Sequence, residues 1–125
     1  MPDDPSPRRI LVVDDSPLIL AAASNALVEA GFAVETRSSV DQVNVSNFDG
    51  FDLVLMDVEM PELYGDDVAG VLRRTRKIRT PIVLFSSLSD AELRERAQEA
   101  GLDGYICKQE GLEHLVAEVR RLLKS

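Results

Sequence analysis

Short apolar runs alternate along the chain with longer stretches of helical spacing. Ile10–Val13, Phe32–Thr36, Leu53–Met56, Ile82–Phe85 and Gly104–Cys107 are each four or five residues long and mainly apolar, as expected of buried strands. Between them the spacing becomes helical. Ser16-Pro17 opens one such stretch, since serine caps free amides and proline suits a first helical turn, and Gly31 marks its end. A less regular stretch runs from Ser39 to Phe48, with Val40, Val43 and Phe48 on one side. From Asp66 to Lys77, Val68, Val71 and Leu72 form a stripe, with acids at the front and Arg73, Arg74, Arg76 and Lys77 at the back, the order that complements a helix dipole. Ser89-Asp90-Ala91-Glu92 is a capping box for a helix closing at Gly101. Its only large apolar side chain is Leu93, so this helix should be loosely held. Leu112, Leu115, Val116, Val119, Leu122 and Leu123 then recur at helical spacing to the end of the chain.

Strand and helix alternating five times predicts a doubly wound α/β fold, a parallel sheet covered by helices on both faces with right-handed crossovers. Ligands of such sheets collect beyond the carboxyl ends of the strands, where strand order reverses. Residues 1–7, with three prolines and two aspartates, are expected to be a disordered leader, and 8–125 a single domain.

Composition narrows the function classes. A chain of 125 residues with 45% hydrophobic content suits one domain, and its net charge of -8 argues against nucleic acid as a direct partner. Cys107 and His114 are the only residues of their types, which excludes an intramolecular disulfide and zinc sites of the Cys/His kind. No apolar run approaches the ~20 residues that cross a bilayer, and the first residues lack a secretion signal. A cytoplasmic location without membrane insertion is expected.

Polar groups follow four of the five predicted strands: Asp14-Asp15, Asp57, Ser86-Ser87 and Lys108. Individually each has an ordinary use as a cap, a loop residue or a solvated lysine. Together they converge on one crevice. Carboxylates ~4 Å apart repel by ~4 kcal/mol at an effective dielectric of about 20, so the cluster calls for a cation or a proton. Oxygen ligands alone favour Mg²⁺ or a similarly hard ion. Each carboxylate is then either a metal ligand or a nucleophile toward phosphorus, and Asp57, alone at the end of its strand, is the better nucleophile candidate. Lys108 and Ser86 supply the charge and the donor that a transferring phosphoryl group needs.

Leu11-Val12-Val13-Asp14-Asp15-Ser16, Leu55-Met56-Asp57-Val58-Glu59-Met60-Pro61, Ser86-Ser87 and Tyr105-Ile106-Cys107-Lys108 resemble the receiver domain of bacterial response regulators, over about residues 8 to 125. The resemblance implies a flavodoxin-like, CheY-like sheet of order 2-1-3-4-5 with five helices. It implies that Asp57 accepts a phosphoryl group from the phosphohistidine of a sensor kinase or phosphotransfer protein. Asp15, Asp57 and the backbone carbonyl of Glu59 would bind Mg²⁺ directly, and Asp14 through water. Lys108 and Ser86 would contact the phosphoryl oxygens, with Tyr105 as the switch aromatic that turns inward when the Ser86 loop moves. A downstream protein would bind the face made by the fourth helix, fifth strand and fifth helix, and the chain would be a monomer or a weak phosphorylation-dependent dimer.

The chain departs from the family pattern at several positions. Gln109 stands where many receivers have proline after the lysine, leaving the isomer of that peptide bond and the aim of Lys108 open. Tyr64 replaces a common aspartate within Met60-Pro61-Glu62-Leu63-Tyr64-Gly65. Leu88, two residues after Ser86, offers nothing to orient water, so slow loss of the phosphoryl group is expected. A receiver used as a constitutive interaction module, or a Mg²⁺-dependent phosphate-ester hydrolase, is the alternative. Cys107 is expected to be buried and inert, and His114 to lie on the surface.

Overall fold

The computed structural model describes residues 7–38, 50–59 and 79–123. Five strands, β1 (Arg9–Val13), β2 (Ala33–Arg37), β3 (Leu53–Met56), β4 (Ile82–Ser86) and β5 (Gly104–Cys107), form one parallel sheet in the order β2-β1-β3-β4-β5. This is the expected order. Three helices accompany them: α1 (Pro17–Glu29), α2 (Asp90–Ala100) and α3 (Leu112–Leu123), with a 3₁₀ turn at Lys108–Glu110. The helices expected at 39–48 and 66–77, the 60–65 loop and residues 1–6 of the leader lie outside the described residues.

Strand alternation divides the core. Leu11, Val13, Val54, Met56, Ile82 and Leu84 face one side, where Leu93 and Ala97 of α2 cover them. Ile10, Val12, Leu53, Leu55, Val83 and Phe85 face the other, covered by Ala23 and Leu27 of α1 and Leu115 and Val119 of α3. Since both faces are buried, β1, β3 and β4 read as continuous apolar runs rather than alternating ones.

The edge strand β2 differs from its expected form. It begins at Ala33 rather than Phe32, ends at Arg37, and is half-buried throughout. As an edge strand it accommodates charge, and Arg9 on β1 meets Glu35 at 2.6 Å while Arg37 meets the same carboxylate at 3.2 Å.

The caps match the sequence chemistry. Ser16 Oγ accepts the Ile19 amide at 3.3 Å and Ser89 Oγ the Glu92 amide at 3.2 Å. Past α1 and α2, Gly31 (φ 102°) and Gly101 (φ 71°) take positive φ, where a side chain would be strained. Each of the three helices buries two residues, but α1 and α3 add half-buried Ile19, Leu20, Val116, Leu122 and Leu123 to the core, whereas α2 adds none, which leaves it with the least apolar anchoring of the described helices. Among the described residues no helix is long and apolar enough to cross a membrane.

Candidate functional site

Register places the acids. Val13 and Met56 are partners across β1 and β3, so the residues that follow, Asp14 and Asp57, leave the sheet side by side. The Asp57 amide donates to the Val13 carbonyl at 2.9 Å and the Asp14 amide to that of Arg37 at 3.1 Å, which fixes both backbones one step beyond their strands. Asp14 is fully buried and Asp57 is 4% exposed, whereas Asp15 is exposed. One carboxylate oxygen from each of the three lies within 4.8 Å of the others.

Lys108 enters this cluster from the end of β5. Its Nζ lies 2.6 Å from Asp14 Oδ2 and 3.5 Å from Asp57 Oδ1. Thus the ammonium leans toward Asp14. It also lies 5.5 Å from the centre of the Phe85 ring. Asp14 Oδ1 accepts the Ser16 amide at 2.9 Å, and Asp57 Oδ1 accepts the Glu59 amide at 3.3 Å. Asp14 Oδ2, though close to the ammonium, is buried without a hydrogen-bond partner.

Burial, chiefly, and then the neighbouring Asp14 push the Asp57 carboxyl up from 3.8 to about 7 against the opposing pull of Lys108 and the Glu59 amide, with exposed Asp15 adding a smaller upward push. One ammonium, beside Asp14 and Asp57, stands against the charge of the three-carboxyl cluster. Three clustered carboxyl groups with one ammonium beside them, one of the three resisting ionisation, fit a hard divalent cation bound through oxygen, and Mg²⁺ is of that kind.

The remaining predicted positions lie on β4 and β5 and in the segments that follow β3 and β4. Ser86 ends β4 fully buried, and its Oγ accepts the Leu88 amide at 3.4 Å. Leu88 packs against the α2-side core. Exposed Glu59 contributes its backbone amide to Asp57. Tyr105 in β5 is half-buried, and its hydroxyl accepts from Arg94 Nε of α2 at 3.3 Å while Arg94 meets Asp90 at 2.9 Å. A groove of about 430 Å³ between α2, β5 and α3 is lined by Tyr105, Cys107 and His114 together with Asp90, Glu110 and Glu118. Burial raises the Cys107 thiol above its ordinary range, which keeps it protonated and unreactive. His114 is half-buried along that groove rather than fully on the surface.

The isomer left open after Lys108 is settled, and two side-chain contacts were not foreseen. The Lys108–Gln109 peptide is trans, and the Gln109 side-chain amide donates to the Ser87 carbonyl at 3.0 Å. Only the unusual residue type after Lys108 hinted at this. Arg94 as the partner of Tyr105 carried no distinctive sequence signal, since an arginine on an exposed helix face is ordinary.

A parallel sheet of this order, with acids and a lysine gathered at the strand ends, defines a doubly wound α/β protein with its ligand crevice at the switch point. The family profile described as the response regulator receiver domain matches residues 10–120, and the chain belongs to that family. The Gliding motility regulatory protein of Myxococcus xanthus is 41% identical over 119 residues, covering 91% of this chain and 15% of that protein. The Nisin biosynthesis regulatory protein NisR of Lactococcus lactis is 33% identical, over 93% of this chain and 50% of its own length. The chain thus spans half or less of these two relatives. Among solved structures, the Vibrio cholerae chemotaxis protein CheY4 superposes with a TM-score of 0.81 at 26% identity, covering 94% of this chain and all of that one.

Proposed function

We propose that the chain is a phosphorylation switch in which Asp57 accepts a phosphoryl group from the phosphohistidine of a sensor kinase or phosphotransfer protein. The observation that carries this reading is the convergence of Asp14, Asp15, Asp57 and Lys108 at the strand ends, with Asp57 nearly buried. An Asp57 carboxylate oxygen attacks phosphorus, a bond from phosphorus to that oxygen forms, and the bond to the donor nitrogen breaks with its electron pair leaving on the imidazole. Lys108 and the Ser86 hydroxyl hold two of the equatorial oxygens. Asp14, Asp15 and Asp57, with the backbone carbonyl of Glu59, would hold Mg²⁺. When bound, that ion supplies positive charge that favours ionised Asp57 and offsets the charge of the phosphoryl oxygens.

The response follows from the weak anchoring of α2. Moving a population from 1:99 to 99:1 takes ~5.5 kcal/mol, which a few charge-assisted hydrogen bonds of ~1.5–3 kcal/mol each provide. Ser86 is drawn toward the phosphoryl group, α2 shifts, Tyr105 leaves Arg94 and turns inward, and the α2–β5–α3 face changes its affinity for a partner protein. This unit comprises residues 8–125, acts in the cytoplasm without binding nucleic acid, and is a monomer or weakly dimeric when phosphorylated. It turns over no small molecule.

Incubation with acetyl phosphate and Mg²⁺ tests the reading. Wild type and Cys107→Ser are expected to be labelled, and Asp57→Asn is not. Labelling of the asparagine variant would overturn the acceptor, and failure of wild type to label would favour a constitutive interaction module.

A further inference from the structure

The strands β4 and β5 end in register, Ser86 opposite Cys107. Beyond that pair the chains turn apart, Ser87 toward the Ser89 cap of α2 and Lys108 into the 3₁₀ turn. That turn fixes the Lys108 backbone, because the Gly111 amide closes it onto the Lys108 carbonyl at 3.1 Å and Gly111 takes φ 94°. Ser86 itself ends β4 fully buried, and the sheet pairing stops there. Its Oγ receives the Leu88 amide at a long 3.4 Å, and the next residue, Ser87, is exposed. Across this divergence the Gln109 side-chain amide reaches the Ser87 carbonyl at 3.0 Å. A side chain here extends the pairing of two strands one step past the end of the sheet.

We propose that Gln109 is a positioning residue for phosphoryl transfer: its amide straps the Ser86–Ser87 segment to the Lys108 turn and so sets the spacing between the two groups that contact the phosphoryl oxygens. The proposal rests on the switch reading above. Ser86, at the end of β4, and Lys108, in the 3₁₀ turn, must meet oxygens of one phosphoryl group, and a misplacement of about 1 Å in such an arrangement can cost about 10²-fold. The strap joins the residue after Ser86 to the residue after Lys108. It therefore acts on the backbone that carries Ser86 out of β4.

The test is the Mg²⁺-dependent affinity for beryllofluoride, a phosphoryl mimic, measured on the full chain. Gln109→Met keeps the reach and loses the donor, and Gln109→Ala loses both. Each is expected to weaken the mimic about 3- to 10-fold, the effect of one hydrogen bond of ordinary net strength. In a Ser86→Ala background the same substitutions are expected to change affinity less than about 2-fold, because the group they position is gone. Equal losses in both backgrounds, or no loss in either, overturn the strap. Wild type that binds no beryllofluoride with Mg²⁺ overturns the switch reading itself and removes the strap with it.

Discussion

Replacing Asp57 by asparagine removes a carboxyl group that the fold holds against its tendency to ionise. Burial first and Asp14 second raise its pKa from 3.8 to about 7. A displacement of about three pH units at 1.36 kcal/mol each sets an upper limit of about 4 kcal/mol on the destabilisation above neutrality without metal. Relaxation around the site reduces this, and about 1–3 kcal/mol is expected. The sign follows from proton binding: between pH ~4 and ~7 the folded state keeps a proton that the unfolded state has lost, so wild-type stability falls as pH rises through that window. Asp57→Asn lacks this loss. Urea unfolding of both proteins in EDTA should therefore show the variant's advantage growing by about 1–3 kcal/mol from pH 4 to pH 8. Excess Mg²⁺ should raise wild type at pH 8 by binding its native state and leave the variant nearly unchanged. An advantage independent of pH, or a wild type more stable than the variant at pH 8 in EDTA, would refute the reasoning.

Two further outcomes concern the switch. Arg94→Ala removes the donor that holds the Tyr105 hydroxyl at 3.3 Å and should tighten Mg²⁺-dependent beryllofluoride binding about 2- to 5-fold, measured by titration; weaker or unchanged binding would count against an outward latch. Leu88→Glu puts a carboxylate two residues beyond Ser86 and should speed loss of the phosphoryl group severalfold in a time course after removal of acetyl phosphate, whereas an unchanged decay would contradict the role assigned to Leu88.

The interior strands were legible because both their faces are buried, so Leu53–Met56 carries no polar residue to blur its ends. Edge strand β2 was misread by one residue for the opposite reason: half-buried Glu35 and Arg37 make its pattern resemble a loop. The acids could be found because chain direction in a parallel sheet delivers every strand's next residue to the same edge. What the sequence concealed lies in side-chain reach. That Asp14 is the buried member of its pair while Asp15 is exposed depends on the turn into α1, where the Ser16 amide captures Asp14. Likewise the Gln109 bond spans 22 positions and the Arg94–Tyr105 bond 11, separations at which no local pattern operates.

Fluorine NMR of beryllofluoride mixed with the protein tests most directly whether the three aspartates share one cation around an acceptor. A bound signal is predicted for wild type only when Mg²⁺ is present, lost in Asp57→Asn and strongly weakened in Asp14→Asn. A bound signal that persists without Mg²⁺, or that survives the loss of Asp57, would contradict it.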